Sequence, residues 1–370
     1  AAQLGANVVL VEGDRMGGDC LNYGCVPSKA LLAAANTAKQ VNQSDKFGIK
    51  AKIVDLDYAG VMTYVEKKIA EIAPHDSQER FEEMGVTVLR DYAKFKDPKT
   101  VVVGNNEITA RRIVLATGSR AKIPNIEGLN KVNYLTNESV FDLRKSPRHL
   151  AIIGGGPIGV EMAQAHARLG IKTTIIEINR IMQGYERRFV EPVHKSLIDD
   201  GVNILEGTVV DRVENDRSNI KLHLSSASTL VVSDLLIAAG RAPNIEKLAL
   251  TEAGIKYNDL GVIVDRNLQT TNRSVYAIGD LVDGPSFTHT ASYHAGIVLK
   301  KILFGLSSTM QTIHIPQVTY TDPEIASVGL NFNDAVKRFG NKVERSCVNL
   351  ESNDRAITDS KTEGFVEVVL

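Results

Sequence analysis

The sequence predicts an α/β protein: two similar doubly wound units, each shaped for a dinucleotide, followed by the start of a smaller α+β domain. Three observations predict it. A nine-residue segment recurs at an offset of 165, as "LGANVVLVE" over Leu4–Glu12 and "LGIKTTIIE" over Leu169–Glu177. The second copy is preceded by an apolar strand, a glycine-rich turn and a helical stretch, "HLAIIGGGPIGVEMAQAHAR". A second pair of segments also recurs, "RRIVLATGSRAKIP" (Arg111–Pro124) and "DLLIAAGRAPN" (Asp234–Asn244), each read as a buried strand running into a glycine turn. Strands alternating with helices build a parallel sheet, and ligands bind beyond the carboxyl ends of its strands.

Composition limits the functional classes. At 370 residues the chain is too long for one ordinary core. With 43% hydrophobic and 24% charged residues and a net charge of -1, it lacks the lysine- and arginine-rich balance of a nucleic-acid binder. No apolar run approaches the roughly 18 residues needed to cross a bilayer. Three cysteines do not make a secreted disulfide framework, so the reducing cytoplasm is the expected compartment.

The first unit is expected over residues 1–147. "AAQLGANVVLVEGD" reads as the end of a helix, a glycine turn and a strand. Subtracting the offset from Gly154 gives -11, so the glycine loop of this first copy is expected to lie ahead of residue 1. Glu12, ending the strand, is then the ribose acid of the first nucleotide site. A cysteine-containing stretch and a long helix, "KALLAAANTAKQV", follow. Residues 58–85 read as helical with an interruption at Pro74. "GVTVLRDYAKFKDPKTVVVGNNEITARRIVLATG" reads as short strands with turns at Asp97-Pro98 and Gly104-Asn105-Asn106.

After a linker at 143–150, the second unit is expected over 148–272. It carries Gly154-x-Gly156-x-x-Gly159 between a strand and a helix, a second strand, and Glu177 placed 23 residues after Gly154. The glycines let the backbone turn tightly and approach a pyrophosphate, the helix N-terminus offers free N–H groups, and the acid suits a ribose hydroxyl. Residues 273–312 return to the first unit as a strand, a Gly-Asp turn, a loop and a helix. The texture changes from 313 to 370, with "VTYTDPEIASVGL", a helix near "NDAVKRFG" and a final strand "GFVEVVL".

Two of the three cysteines, Cys20 and Cys25, fall in "MGGDCLNYGCVPSKALL". A zinc site would need four ligands, and no other cysteine or close histidine pair supplies them. A structural disulfide gains by closing a long loop, which a four-residue spacer does not. A redox-active dithiol fits better: "PSKALL" opens a helix just after Cys25, whose positive end lowers a thiol pKa, and Lys29 adds charge one turn in. One nucleotide site then holds a nicotinamide dinucleotide and the other FAD, which links hydride transfer to thiolate chemistry.

Taken together, "GGDCLNYGCVPSKALL", "ATGS", "GGGPIGVE", "AAGRAPN" and "AIGD" resemble the pyridine nucleotide-disulfide oxidoreductases over essentially the whole chain. The resemblance implies roles. Cys20 is similar to the interchange thiol that attacks substrate and Cys25 to the thiol beside the flavin. Lys29 resembles the lysine near the flavin ring, and Glu161 its acidic partner by the nicotinamide. Glu12, Gly18, Thr117, Gly118 and Asp280 are implied for FAD, and Gly154, Gly156, Gly159, Glu177, Gly240 and Arg241 for the nicotinamide cofactor. Residues 313–370 become the start of a dimerisation domain, which implies a homodimer. In the family a His–Glu base lies in a C-terminal "HPTxxE"-like segment; no histidine here sits in such a context, so that base is expected outside this sequence. Glu177 favours NAD over NADP, although Arg180 lies three residues on. The implied substrate is a small or protein-bound disulfide, with mercuric ion as the alternative. A reading of another class is an FAD- and NAD-binding sensor or interaction protein without disulfide turnover.

Overall fold

The computed structural model describes residues 1–370. In the second unit four parallel strands lie in the order Val202–Leu205, Lys172–Ile176, His149–Ile153, Asp234–Ile237. Every residue of His149–Ile153 is buried, as a central strand covered on both faces must be. The sequence reading gave 143–150 to a linker; His149 and Leu150 instead begin this strand, because Asp234–Ile237 and Lys172–Ile176 pair with them from either side.

Helix Pro157–Arg168 leaves the glycine turn and is buried nearly all round. One flank meets the sheet and another meets the long helix Cys25–Asn42 of the first unit. Ala30, Ala35 and Ala38 on that long helix are buried, and such small side chains let the two helix backbones approach. Tyr58, at the start of helix Tyr58–Ile72, donates its hydroxyl to His166 Nε2 at 3.2 Å, while His166 Nδ1 donates to the Met162 carbonyl at 2.8 Å. This buried clasp gives both ring nitrogens a partner. The helical stretch does break near Pro74, passing through a 3-10 turn at Ala73–Asp76 into Gln78–Glu83.

The first unit contains two separate parallel pairs, Val8–Val11 with Val86–Leu89 and Ile113–Leu115 with Val275–Ala277. In the second unit the corresponding strands flank His149–Ile153. In the first, a cleft runs between the pairs, and Val9 and Val114, each 41% exposed, line it. The strand before the "ATGS" turn was read as buried; only Leu115 of its three residues is. The segments after the two recurrent glycine turns pair with each other, Arg241–Pro243 running antiparallel to Ser119–Ala121. This pairing couples the two units directly.

Two three-stranded antiparallel sheets complete these units: 93–95, 100–103 and 106–109, and 210–216, 219–224 and 229–232. The C-terminal part begins with the hairpin Gln317–Thr319/Ile325–Ser327, followed by helix Phe332–Phe339 and the paired strands Arg345–Asn349 and Phe365–Val369. An ion cluster ties it down. The buried Arg168 guanidinium lies 2.7 Å from Asp200 and 3.1 Å from Asp322, and Lys39 lies 3.1 Å from Asp200.

Candidate active site

Cys20 lies in the short helix Gly18–Asn22, and Cys25 is itself the first residue of helix Cys25–Asn42, which starts two residues before the "PSKALL" opening that the sequence suggested. Both are free thiols, half-buried, and the Cys20 S–H donates to Cys25. That hydrogen bond splits the pair. It holds Cys25 down to about 5, helped by Thr288 and Lys29 and opposed by burial. It pushes Cys20 well above the usual thiol range, and burial acts in the same direction. Thr288 opens a second helix, Thr288–Phe304, and its Oγ1 is 3.5 Å from Cys25 Sγ. Two helix N-termini therefore converge on one sulfur, and each favours its anionic form.

Lys29 extends one turn along from Cys25 and sets its ammonium 4.0 Å from the centre of the Tyr320 ring. Glu161, on the helix that follows the glycine turn, accepts from the Tyr320 backbone N–H at 2.8 Å. Burial raises its carboxyl to about 7, against the pull of that hydrogen bond and of Lys29. Tyr320 thus stands between the two residues that the sequence reading paired directly.

A cleft of about 2780 Å³ brings together Glu12, Gly18, Cys20, Cys25, Lys29, Thr117, Gly118, Gly154, Gly156, Glu161, Glu177, Gly240, Arg241 and Asp280. Ordinary small-molecule sites occupy roughly 300–1,000 Å³, so this cleft has room for large ligands. Of the expected residues only Gly159 does not line it. A Cβ at Gly159 would meet the Gly154 carbonyl oxygen at 2.0 Å, so this glycine packs the helix onto the turn instead of facing a ligand. Gly154 has φ +114°, and a Cβ there would meet the Ala238 carbonyl oxygen at 2.2 Å. Gly156 faces open space at the N-cap of helix Pro157–Arg168, where a pyrophosphate could approach the free N–H groups. Gly118 and Gly240 likewise face open space. These residues form a cradle fitted to dinucleotides.

The acids end their strands as expected. Glu12 accepts from the Asp14 N–H at 2.8 Å. Glu177 accepts from Gly155 N–H at 2.7 Å and Asn179 N–H at 2.9 Å, which fixes its carboxylate against the glycine turn. Thr117 is tied to Asn244, its Oγ1 donating to the Asn244 carbonyl at 2.9 Å. Arg241, expected for the nicotinamide cofactor, donates to Ser119 Oγ at 2.7 Å and lies 3.2 Å from Asp19 and 3.6 Å from Asp280. The strand pairing of Arg241–Pro243 with Ser119–Ala121 carries the guanidinium to the residues grouped with FAD.

Sequence reasoning missed Thr288, Tyr320, Ser119 and Asn137. Asn137 donates to Asp19 at 3.0 Å and so secures the cysteine stretch. Thr288 sits 263 positions from Cys25, and no local spacing could have joined them.

Comparison with known proteins gives the chain's family. Residues 1–295 match the family described as pyridine nucleotide-disulphide oxidoreductase, and residues 315–370 match its dimerisation domain. The chain is 33% identical over 374 residues to a mercuric reductase of Lysinibacillus sphaericus, covering all of this chain and 68% of the relative. It is 33% identical over 380 residues to a dihydrolipoyl dehydrogenase of Geobacillus stearothermophilus, covering all of this chain and 80% of the relative. It spans 59% of a similar mercuric reductase from Bacillus cereus, also 33% identical. Among solved structures, the Cu(II) complex of the HOCl-induced flavoprotein disulfide reductase RclA from Escherichia coli matches with TM-score 0.88 and 25% identity, over all of this chain and 82% of that one.

Proposed function

The chain belongs to the pyridine nucleotide-disulphide oxidoreductase family, and from that premise we propose that its Cys20/Cys25 pair carries electrons from a nicotinamide dinucleotide to a substrate disulfide. The observation that carries this reading is the placement of the dithiol: two free thiols at the wall of a dinucleotide cleft, with Cys25 the first residue of helix Cys25–Asn42 and 3.5 Å from Thr288 Oγ1 at the start of a second helix. FAD, when bound, supplies the exchange between two-electron hydride chemistry and thiol chemistry.

The chain's own residues then have distinct tasks. Cys25 keeps its negative charge under the two helix ends, Thr288 and Lys29. Cys20 opens the substrate disulfide and forms a mixed disulfide, which Cys25 resolves by attacking Cys20 sulfur. Glu12, Thr117, Gly118 and Asp280 orient FAD, with Arg241 holding Asp280 and Ser119 in place. Gly154 and Gly156 admit the second dinucleotide at the turn, and Gly159 packs the helix beneath it. Glu177 accepts ribose hydroxyls and repels a 2′-phosphate, which favours NAD. Arg180 is engaged elsewhere, donating to the Tyr185 carbonyl at 2.7 Å, so it is not free to answer such a phosphate. Glu161 and Lys29 flank the approach to Cys25.

Mercuric ion is the alternative substrate, favoured by the relatives that carry that name and by the affinity of thiolates for soft metals. Disulfide reduction fits a reducing compartment such as the cytoplasm, and the match of residues 315–370 to a dimerisation domain supports a homodimer. No helix is long and apolar enough to cross a membrane. The test is NADH consumption by full-length, FAD-loaded protein offered a dialkyl disulfide, a lipoyl disulfide or mercuric ion. Turnover abolished by Cys25→Ser supports the dithiol reading and identifies the substrate. Turnover undiminished in Cys25→Ser refutes it, and brings forward the sensor reading.

A further inference from the structure

One stripe of helix Pro157–Arg168 grips the segment that follows strand Gln317–Thr319. Glu161 accepts from the Tyr320 N–H at 2.8 Å. Gln164 accepts from the Asp322 N–H at 2.8 Å and donates to the Asp322 carbonyl at 3.1 Å. Arg168 donates to the Asp322 carboxylate at 3.1 Å. Spacings of three and four residues put these side chains on one helix face, and all three are buried. The backbone is therefore pinned at Tyr320 and again at Asp322, which fixes where the Tyr320 ring can stand. It stands in a pocket wall with Cys20, Cys25 and Lys29, and the Lys29 ammonium rests 4.0 Å from its centre. A ring face attracts a cation within about 6 Å.

We propose that Tyr320 is a positioning residue of the redox site: its ring holds the Lys29 ammonium toward the dithiol and away from the Glu161 carboxyl. The inference rests on the reading of Cys25 as the anionic thiol of the working pair. Lys29 favours the charged form of Cys25 and also that of Glu161. An ammonium drawn fully to one is lost to the other. The ring settles the choice, because it offers the cation a seat that is not the carboxylate. Glu161 is then left buried, with the Tyr320 N–H as its hydrogen-bond donor. Other charges bear on the same two groups: Asp19 opposes the Cys25 thiolate, and Glu324 opposes the Glu161 carboxylate. His289, the remaining titratable group of that wall, is stacked on Phe287. Tyr320 lies in the stretch that matches the dimerisation domain, so that domain supplies the ring that orders a charge in the redox site of its own chain.

The test compares wild type, Tyr320→Phe and Tyr320→Leu as pre-reduced, full-length, FAD-loaded protein. Phenylalanine keeps the ring face and leucine removes it, while both keep the N–H that Glu161 accepts. Tyr320 is 37% exposed, so the fold tolerates either. Two midpoints are read. That of Cys25 comes from its alkylation rate against pH, resolved by peptide mapping. That of Glu161 comes from the pH at which its carboxyl infrared band is lost, assigned with Glu161→Gln. In Tyr320→Leu the ammonium turns to Glu161, so the Cys25 midpoint should rise and the Glu161 midpoint should fall, each by about one pH unit. Tyr320→Phe should match wild type. Simple loosening of the site would instead admit water and lower both midpoints, because burial raises both, and that result would overturn the proposal. So would an unmoved Cys25 midpoint, or an equal rise when Lys29→Met is already present. The parent reading is judged separately in oxidised wild type. If anaerobic NADH fails to release Cys20 and Cys25 to alkylation, that reading falls and the role of Tyr320 with it. Release in wild type with midpoints unmoved in Tyr320→Leu sinks the positioning role alone.

Discussion

At the scale of the residue, Cys20 and Cys25 are chemically unlike because one donates to the other under two helix ends. The thiolate absorbance of the reduced protein should titrate with a midpoint near 5, and Cys25→Ser should remove that transition. Thr288→Val takes away a donor to the charged form, so the midpoint should move upward. Glu161 gives an independent check. Its carboxyl, normally near 4.5, sits at about 7 when folded, so the folded state binds more protons than the unfolded one between those values. Stability contributed by the neutral acid is full below about 4.5 and is lost as pH rises through about 7. Glu161→Gln keeps an acceptor for the Tyr320 N–H and removes that loss. Chemical denaturation at pH 8 should find the variant more stable than wild type by about 1–3 kcal/mol, with no difference near pH 4. Equal pH dependence in both proteins would contradict the burial of a charge at Glu161.

At the scale of the element, the glycine turn and the ion cluster make separable demands. Gly156 has ordinary backbone angles and open space before it, so Gly156→Val should fold normally and weaken NADH binding by more than about tenfold, leaving FAD content unchanged. Arg168 is different. Its guanidinium is 1% exposed and joins helix Pro157–Arg168 to Asp200 and to Asp322 of the C-terminal part. Arg168→Ala removes the buried guanidinium and leaves Lys39 as the ion partner of Asp200, so it should cost about 2–3 kcal/mol in urea denaturation. These elements also show what the sequence could and could not disclose. The Gly154–Glu177 fingerprint and the Cys20–Cys25 spacing were legible because their chemistry is local: a turn, a helix start, an acid at a strand end. Thr288 beside Cys25 and Tyr320 between Lys29 and Glu161 were not, because chain segments hundreds of residues apart meet there. The contacts of Arg241 were hidden for a related reason. Its own motif says only that a glycine turn ends a strand, while the pairing with Ser119–Ala121 decides which site its side chain reaches.

At the scale of the molecule, two dinucleotide units share one cleft, and the dithiol stands in its wall. The repeat at an offset of 165 announced the two units, and the helix–helix contact between Cys25–Asn42 and Pro157–Arg168 fixes their distance. These positions require that the dithiol be reduced through this cleft. The direct measurement is a count of alkylated cysteines by mass spectrometry, on oxidised full-length, FAD-loaded protein before and after anaerobic addition of NADH. The chain has three cysteines. Among these three, a change from Cys347 alone to all three, with Cys20 and Cys25 newly modified, is the result predicted. Consumption of NADH with Cys20 and Cys25 still unreactive, or reactive from the start in air-oxidised protein, would contradict it.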